Sequence, residues 1–147
     1  MAQGLNLVIE VTSGQQSAAG GLVEALAPAA GSGTGPQILH YAWGVEVTDR
    51  IPPKTAGNHT VLLTTVYDED FADYISDLVT ANPGPFNEAA NYIVGLQGLT
   101  PVQSPENLPK FIQFVKDNDL NKGGAGNPTW FQAYDANVVT ILAALGE

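Results

Sequence analysis

The stretch that most constrains this chain is His59–Val79, HTVLLTTVYDEDFADYISDLV. Thr60–Val66 carries Val, Leu and Thr with no Gly or Pro, the make-up of a strand covered on both faces. Tyr67 closes it, and the acids Asp68, Glu69 and Asp70 suit the positive end of a helix that starts directly after. Asp68 or Asp70 is expected to cap that helix, because a short carboxylate accepts hydrogen bonds from the free N–H groups of a first turn. Asp70 and Asp73 also stand at capping-box spacing. Phe71, Ile75, Leu78 and Val79 fall at i, i+4, i+7 and i+8, one apolar stripe, and Pro83-Gly84-Pro85 ends the helix.

Around this junction the other elements fall into order. Leu5–Val11 alternates as a strand, with Leu5, Leu7, Ile9 and Val11 on one face and Asn6, Val8 and Glu10 on the other. Gln15–Ala27 follows as a helix weakened by Gly20-Gly21, and Pro28 to Pro36 as a flexible loop. That loop's GSGTGP lacks the Lys-Ser/Thr ending of a phosphate-binding loop and leads into a strand, not a helix. Gln37–Val47 is the next strand, with His40, Ala42, Gly44 and Glu46 alternating against Tyr41, Trp43, Val45 and Val47. Thr48 to Asn58 then joins it to Thr60–Val66 as a long-looped antiparallel hairpin. Further helices are expected at Phe86–Leu96 and Leu108–Val115, a loop at Asn121 to Pro128, a fourth strand at Thr129–Tyr134 and a closing helix at Ala136–Leu145.

Without the two extra helices the order is β-α-β-β-α-β, the ferredoxin-like plan of an α+β protein. The expected organisation is one domain over residues 1–147, with 81–127 as a helical insertion between the second helix and the fourth strand. Helices then cover one face of the sheet. Tyr41, Trp43, Tyr67, Trp130, Phe131 and Tyr134 give the strands more aromatic bulk than one helix layer needs. An apolar face left open associates, so a two-fold homodimer is expected.

ILHYAW, then a loop, then VLLTTVYDEDFADYISDLV, resembles the dimeric α+β barrel superfamily of ferredoxin-like proteins, within it the uncharacterised bacterial members. The resemblance spans about residues 5–80 and, more weakly, 127–145. It implies a sheet-lined cavity and chemistry of the kinds that superfamily includes: cofactor-free oxygenation, lyase reactions, stress response and haem peroxidation. The chain departs from the haem branch, because Arg50 lies in a loop and no His–Arg set falls on the added helices. Residues 81–127 match no member.

Charge narrows the partners. A net charge of −10 with five basic residues opposes nucleic acid and anionic membrane surfaces. One arginine, Arg50, makes no phosphate clamp. No apolar run reaches the roughly 20 residues of a membrane span. The N-terminus lacks a signal-peptide pattern, and the absence of cysteine fits a reducing cytoplasm, the expected location.

His40 and Tyr67 are the catalytic candidates. His40 reads either as a general base in the cavity or as a histidine satisfied by a carboxylate, backbone or dimer contact. Tyr67 reads either as a proton donor or as core packing beside a capping Asp68. Trp43, Trp130 and Tyr134 are candidate contacts for a small apolar or aromatic ligand, with Glu10 as a further one. Aromatics of this kind are more often core or interface than ligand contacts. His59 reads as an exposed strand-edge residue. Neither a metal nor a cofactor is expected: no ligand spacing, calcium loop or GxSxG elbow occurs. Two functions stand open, a small-molecule enzyme of the cofactor-free oxygenase or lyase type and a non-catalytic ligand-binding or structural homodimer.

Overall fold

The computed structural model describes residues 3–15, 17, 20–22, 24, 39–68 and 70–120, with 39–41 given by their backbone. Three strands and three helices follow in order: β1 (Gln3–Val11), β2 (Leu39–Glu46), β3 (His59–Tyr67), α1 (Phe71–Ala81), α2 (Pro83–Tyr92) and α3 (Leu108–Asn118). This is an α+β architecture with a three-stranded antiparallel sheet in the order β1-β3-β2. The expected hairpin of β2 and β3 is present, and β3 lies between the other two. The expected strand at 129–134, the closing helix at 136–145 and the aromatics Trp130 and Tyr134 lie outside the described residues. So does most of the helix expected at 15–27, of which Gly20, Gly21 and Leu22 have helical backbone and Leu22 is buried.

Alternation decides which residues meet the helices. Leu5, Leu7 and Ile9 stand opposite Thr65, Leu63 and Val61, and all six are buried on the core face. The opposite face carries Asn6, Val8 and Glu10 beside Thr64, Leu62 and Thr60. On β2, Trp43 and Val45 share that second face, opposite Thr64 and Leu62. Trp43 is 45% exposed there. The register of β2 slips between Leu39 and Tyr41, so His40 is the extra residue of a bulge. The sequence alternation carries straight through His40 and gives no sign of this slip.

The core face is roofed by α1, whose Tyr74, Ile75, Leu78 and Val79 are buried. Phe71, expected at the head of the stripe, is partly buried, and Tyr74 is fully enclosed against Tyr67 of β3. Asp70 occupies the N-cap position but its carboxylate makes no capping bond; its backbone carbonyl accepts from Tyr74 N at 2.9 Å. The capping box with Asp73 is therefore not formed. Pro83-Gly84-Pro85 ends α1 as expected but also begins α2, because proline at a first helical position loses no hydrogen bond. That start is three residues before the expected Phe86, and Ile93 turns extended at the other end. Phe86 of α2 meets Phe111 of α3 edge-on, with centroids 5.7 Å apart.

Strand β1 has β3 on one side. On its other side the chain between α1 and the end of α3 returns twice. Thr12 N donates to Tyr92 O and Val94 N to Glu10 O, both near the C-terminal end of β1. Leu120 N donates to Asn6 O near the N-terminal end, and Asp119 bridges Leu7 in the antiparallel sense. Of the expected insertion, residues 92–94 and 119–120 therefore hold the outer edge of the sheet rather than standing apart from it.

Candidate functional site

At the end of the sheet where β1 begins and β3 finishes, Tyr67 stands opposite Gln3 on one side and Leu39 on the other. The His40 bulge is thus the neighbour of Tyr67 across the β2–β3 pairing. The two residues singled out as catalytic come to one place at the level of the backbone. Tyr67 is wholly enclosed, 0% exposed, and stacks on Tyr74 with ring centroids 4.0 Å apart and planes 5° from parallel. Tyr74 donates its hydroxyl to Thr65 Oγ1 at 2.7 Å. Among the described residues the Tyr67 hydroxyl has no hydrogen-bond partner, and neither has the buried Gln3 Oε1.

Burial raises the Tyr67 pKa, and the nearby carboxylates of Asp119 and Asp70 raise it further. The phenol therefore stays protonated through neutral pH and keeps a proton to donate. Asp119 is 3% exposed, and its Oδ1 accepts from Asn6 N at 3.1 Å. Buried side-chain oxygens of this kind are rare without partners, because each one forgoes about 1–3 kcal/mol of hydrogen bonding. Asp119 belongs to this end of the sheet only through a contact across 113 positions of chain, so no local sequence signal points to it.

The other candidates do not join this place. Trp43 lies on the opposite face of the sheet from Tyr67. Glu10 and Glu46 stand on opposite faces of the sheet, since Glu10 pairs with Thr60 and Glu46 with Val61. Glu10 holds the 48–58 loop: Oε2 accepts from Lys54 N at 3.0 Å, and Oε1 from Thr55 N at 3.0 Å and Asn58 Nδ2 at 2.7 Å. Partial burial pushes the Glu10 pKa up, but the bonds from Asn58, Lys54 and Thr55 together outweigh it and leave it lowered. His59 Nδ1 lies 2.7 Å from Glu46 Oε1, which also accepts from the Thr48 hydroxyl at 2.8 Å. The His59 bond lowers the Glu46 pKa, with Thr48 adding to it, so the carboxylate is ionised at neutral pH and the ring nitrogen is the donor. Sequence reading placed His59 at an exposed edge; the strand pairing supplies the carboxylate it rests on.

Two spaces open near these groups. One, about 50 Å³, lies between the core face and the helices, walled by apolar side chains with the Tyr74–Thr65 pair among them. The other, about 160 Å³, is a groove along the outer edge of β1. A cavity of roughly 150 Å³ holds a benzene ring, so the first is too small for an aromatic ligand as it stands and the second is not. Among the described residues no group of three or more His, Cys, Asp or Glu could hold a metal ion, and no helix is long and apolar enough to cross a membrane. No family model, curated protein or solved structure matches the chain.

Proposed function

We propose that this protein is a cytoplasmic, homodimeric small-molecule enzyme on the ferredoxin-like plan, working by proton transfer at the His40–Tyr67 end of the sheet. The observation that carries the reading is the unpartnered, fully enclosed Tyr67 hydroxyl beside the His40 bulge. Bulges recur next to active sites because they re-aim a side chain out of the regular pleat. In this reading His40 takes a proton from the carbon beside a carbonyl of a neutral apolar or aromatic substrate. The C–H electron pair moves onto the carbonyl oxygen, which accepts a hydrogen bond from Tyr67. The carbanion then expels a leaving group, as in a lyase, or meets dioxygen, as in a cofactor-free oxygenase. Asp119 and Asp70 keep the phenol protonated and disfavour anionic substrates. Because Tyr67 is sealed from solvent, the substrate must displace a covering group on entry.

The test uses 2-tetralone in D₂O, with hydrogen–deuterium exchange beside the carbonyl followed by proton NMR. The wild-type chain is expected to accelerate exchange, and His40→Gln and Tyr67→Phe each to lose at least tenfold of that acceleration. Exchange that is no faster with protein than without, or equally fast in all three proteins, sinks the reading.

The alternative, a non-catalytic ligand-binding or structural homodimer, is favoured by a separate observation. Trp43 is half-exposed on the sheet face opposite the core, beside the partly buried Val8, Val45 and Leu62. Both readings share the dimer and differ in what Tyr67 does.

A further inference from the structure

Strand β2 ends the sheet on its side, with β3 along only one of its two edges. Val47 N donates to Thr60 O, and the pairing with β3 keeps that register from Tyr41 to Glu46. In an antiparallel strand the N–H and C=O of one residue point the same way, and successive residues alternate. Tyr41, Trp43 and Val45 therefore bond inward to β3, while Ala42, Gly44 and Glu46 turn their backbone groups outward. Among the described residues no backbone hydrogen bond or β-bridge meets that outward row. Open edges are commonly guarded by lysine, proline or an inward-pointing charge. Tyr41–Val45, YAWGV, carries none of these.

We propose that this edge pairs antiparallel with the same edge of a second copy of the chain, about a two-fold axis at Gly44. The regular run lies between the His40 bulge and the turn that begins at Thr48, and Gly44 is its midpoint. On that axis Gly44 meets Gly44 of the partner subunit, and Ala42 meets Glu46 of the partner subunit. These are the outward residues, so each such pair exchanges backbone hydrogen bonds in both directions. An axis at Trp43 or at Val45 would run the pairing into the bulge or into the turn.

The side chains suit that register. Trp43 stands directly opposite Val45 of the partner subunit, at a non-hydrogen-bonded position, where facing side chains come closest. Both lie on the face opposite the core, and Trp43, 45% exposed in the single chain, gains an apolar cover. Glu46 is the one charged residue between Tyr41 and Val47, and it faces an alanine. Four residues of strand set the two Glu46 positions about 13 Å apart, beyond the screening length of about 8 Å at physiological salt. One patch thus matches itself, as a two-fold interface requires. The inference rests on the homodimer proposed above and gives that dimer its interface. Each copy's β2 then ends beside the other's His40 bulge, so the interface borders the proposed site of proton transfer.

The chain has no cysteine, so an introduced thiol is alone. Full-length Trp43→Cys and Val45→Cys chains, mixed to exchange subunits and mildly oxidised, are expected to form a disulfide-linked heterodimer. Their facing Cα atoms would stand about 4.5 Å apart, within disulfide range. Val8→Cys, two strands away on the same face, is expected to stay unlinked. Ala42→Pro is a second test that needs no thiol. The N–H it removes points outward, so the sheet keeps its own ladder. Its circular dichroism is expected to match wild type, while light scattering shows dimerisation weakened at least tenfold. The proposal is overturned if the 43–45 mixture links no more than either chain alone, whether or not Ala42→Pro folds. It is equally overturned if a folded Ala42→Pro dimerises as wild type does. Self-linking of Val8→Cys without the 43–45 link would mean face-to-face packing, which overturns the edge pairing and leaves the homodimer. A monomeric wild type overturns both, and deuterium exchange into 2-tetralone still decides the enzyme reading separately.

Discussion

Tyr67 and Tyr74 stack face to face, yet their hydroxyls fare differently. Tyr74 donates to Thr65, and Tyr67, among the described residues, to nothing. Removing a bonded buried hydroxyl strands its partner and costs about 1–2 kcal/mol, whereas removing an unbonded one costs nothing or relieves up to about 1 kcal/mol. Urea denaturation should therefore show Tyr74→Phe destabilised and Tyr67→Phe as stable as wild type or more so. A Tyr67→Phe chain that loses stability as Tyr74→Phe does would mean the Tyr67 hydroxyl is bonded after all. Gly95 supplies a second residue-scale test. It holds φ +95°, and a Cβ there would come within 3.1 Å of the Phe114 ring. Alanine meets backbone strain and crowding together, so Gly95→Ala should lower stability by about 1–3 kcal/mol; an unchanged urea midpoint would contradict that.

Among the elements, the β2–β3 hairpin depends most on charge. Glu10 ties the 48–58 loop to β1, and its folded pKa lies below the ordinary 4.5. A lowered carboxylate stabilises above the unfolded pKa and loses that support as pH falls through the folded value. The stability difference between wild type and Glu10→Gln, about 1 kcal/mol at pH 7 for a partly exposed group, should accordingly shrink between pH 5 and pH 3. A difference that holds constant over that range would show the carboxylate charge to be irrelevant to the loop. The strands and α1 were legible in the sequence because burial imposes periods of two and of 3.6, and Leu5–Val11 and Phe71–Val79 display them plainly. The start of α2 at Pro83 was not, since Pro83-Gly84-Pro85 serves as a stop and a start at once. The His40 bulge left no trace, because the residues flanking it keep alternating. The Tyr67 candidate was visible at its strand end, but its neighbours Gln3 and Asp119 arrive through pairing and leave no local pattern.

For the molecule as a whole, the face of the sheet that carries Trp43 decides its company. Trp43 stands half in solvent there, beside the partly buried Val45 and Leu62. Light scattering after gel filtration is expected to report a dimer at micromolar concentration, and Trp43→Ser to shift it toward monomer while the circular dichroism spectrum persists. A monomeric wild-type chain would remove the dimer from both functional readings. The bonds on the outer edge of β1 bear on how the chain first acquires its shape. Asn6 waits for Asp119, 113 positions later, and for the neighbouring Leu120. While the chain is still emerging from the ribosome, its first strand therefore has an unfinished border until residues 119 and 120 have been made. Pairings so distant in sequence are slow to form, and in that interval a bare strand border is open to another nascent copy. Completion of that border is thus timed by translation of residues 119 and 120, and a ribosome stalled short of residue 119 would carry the border most exposed to misassembly.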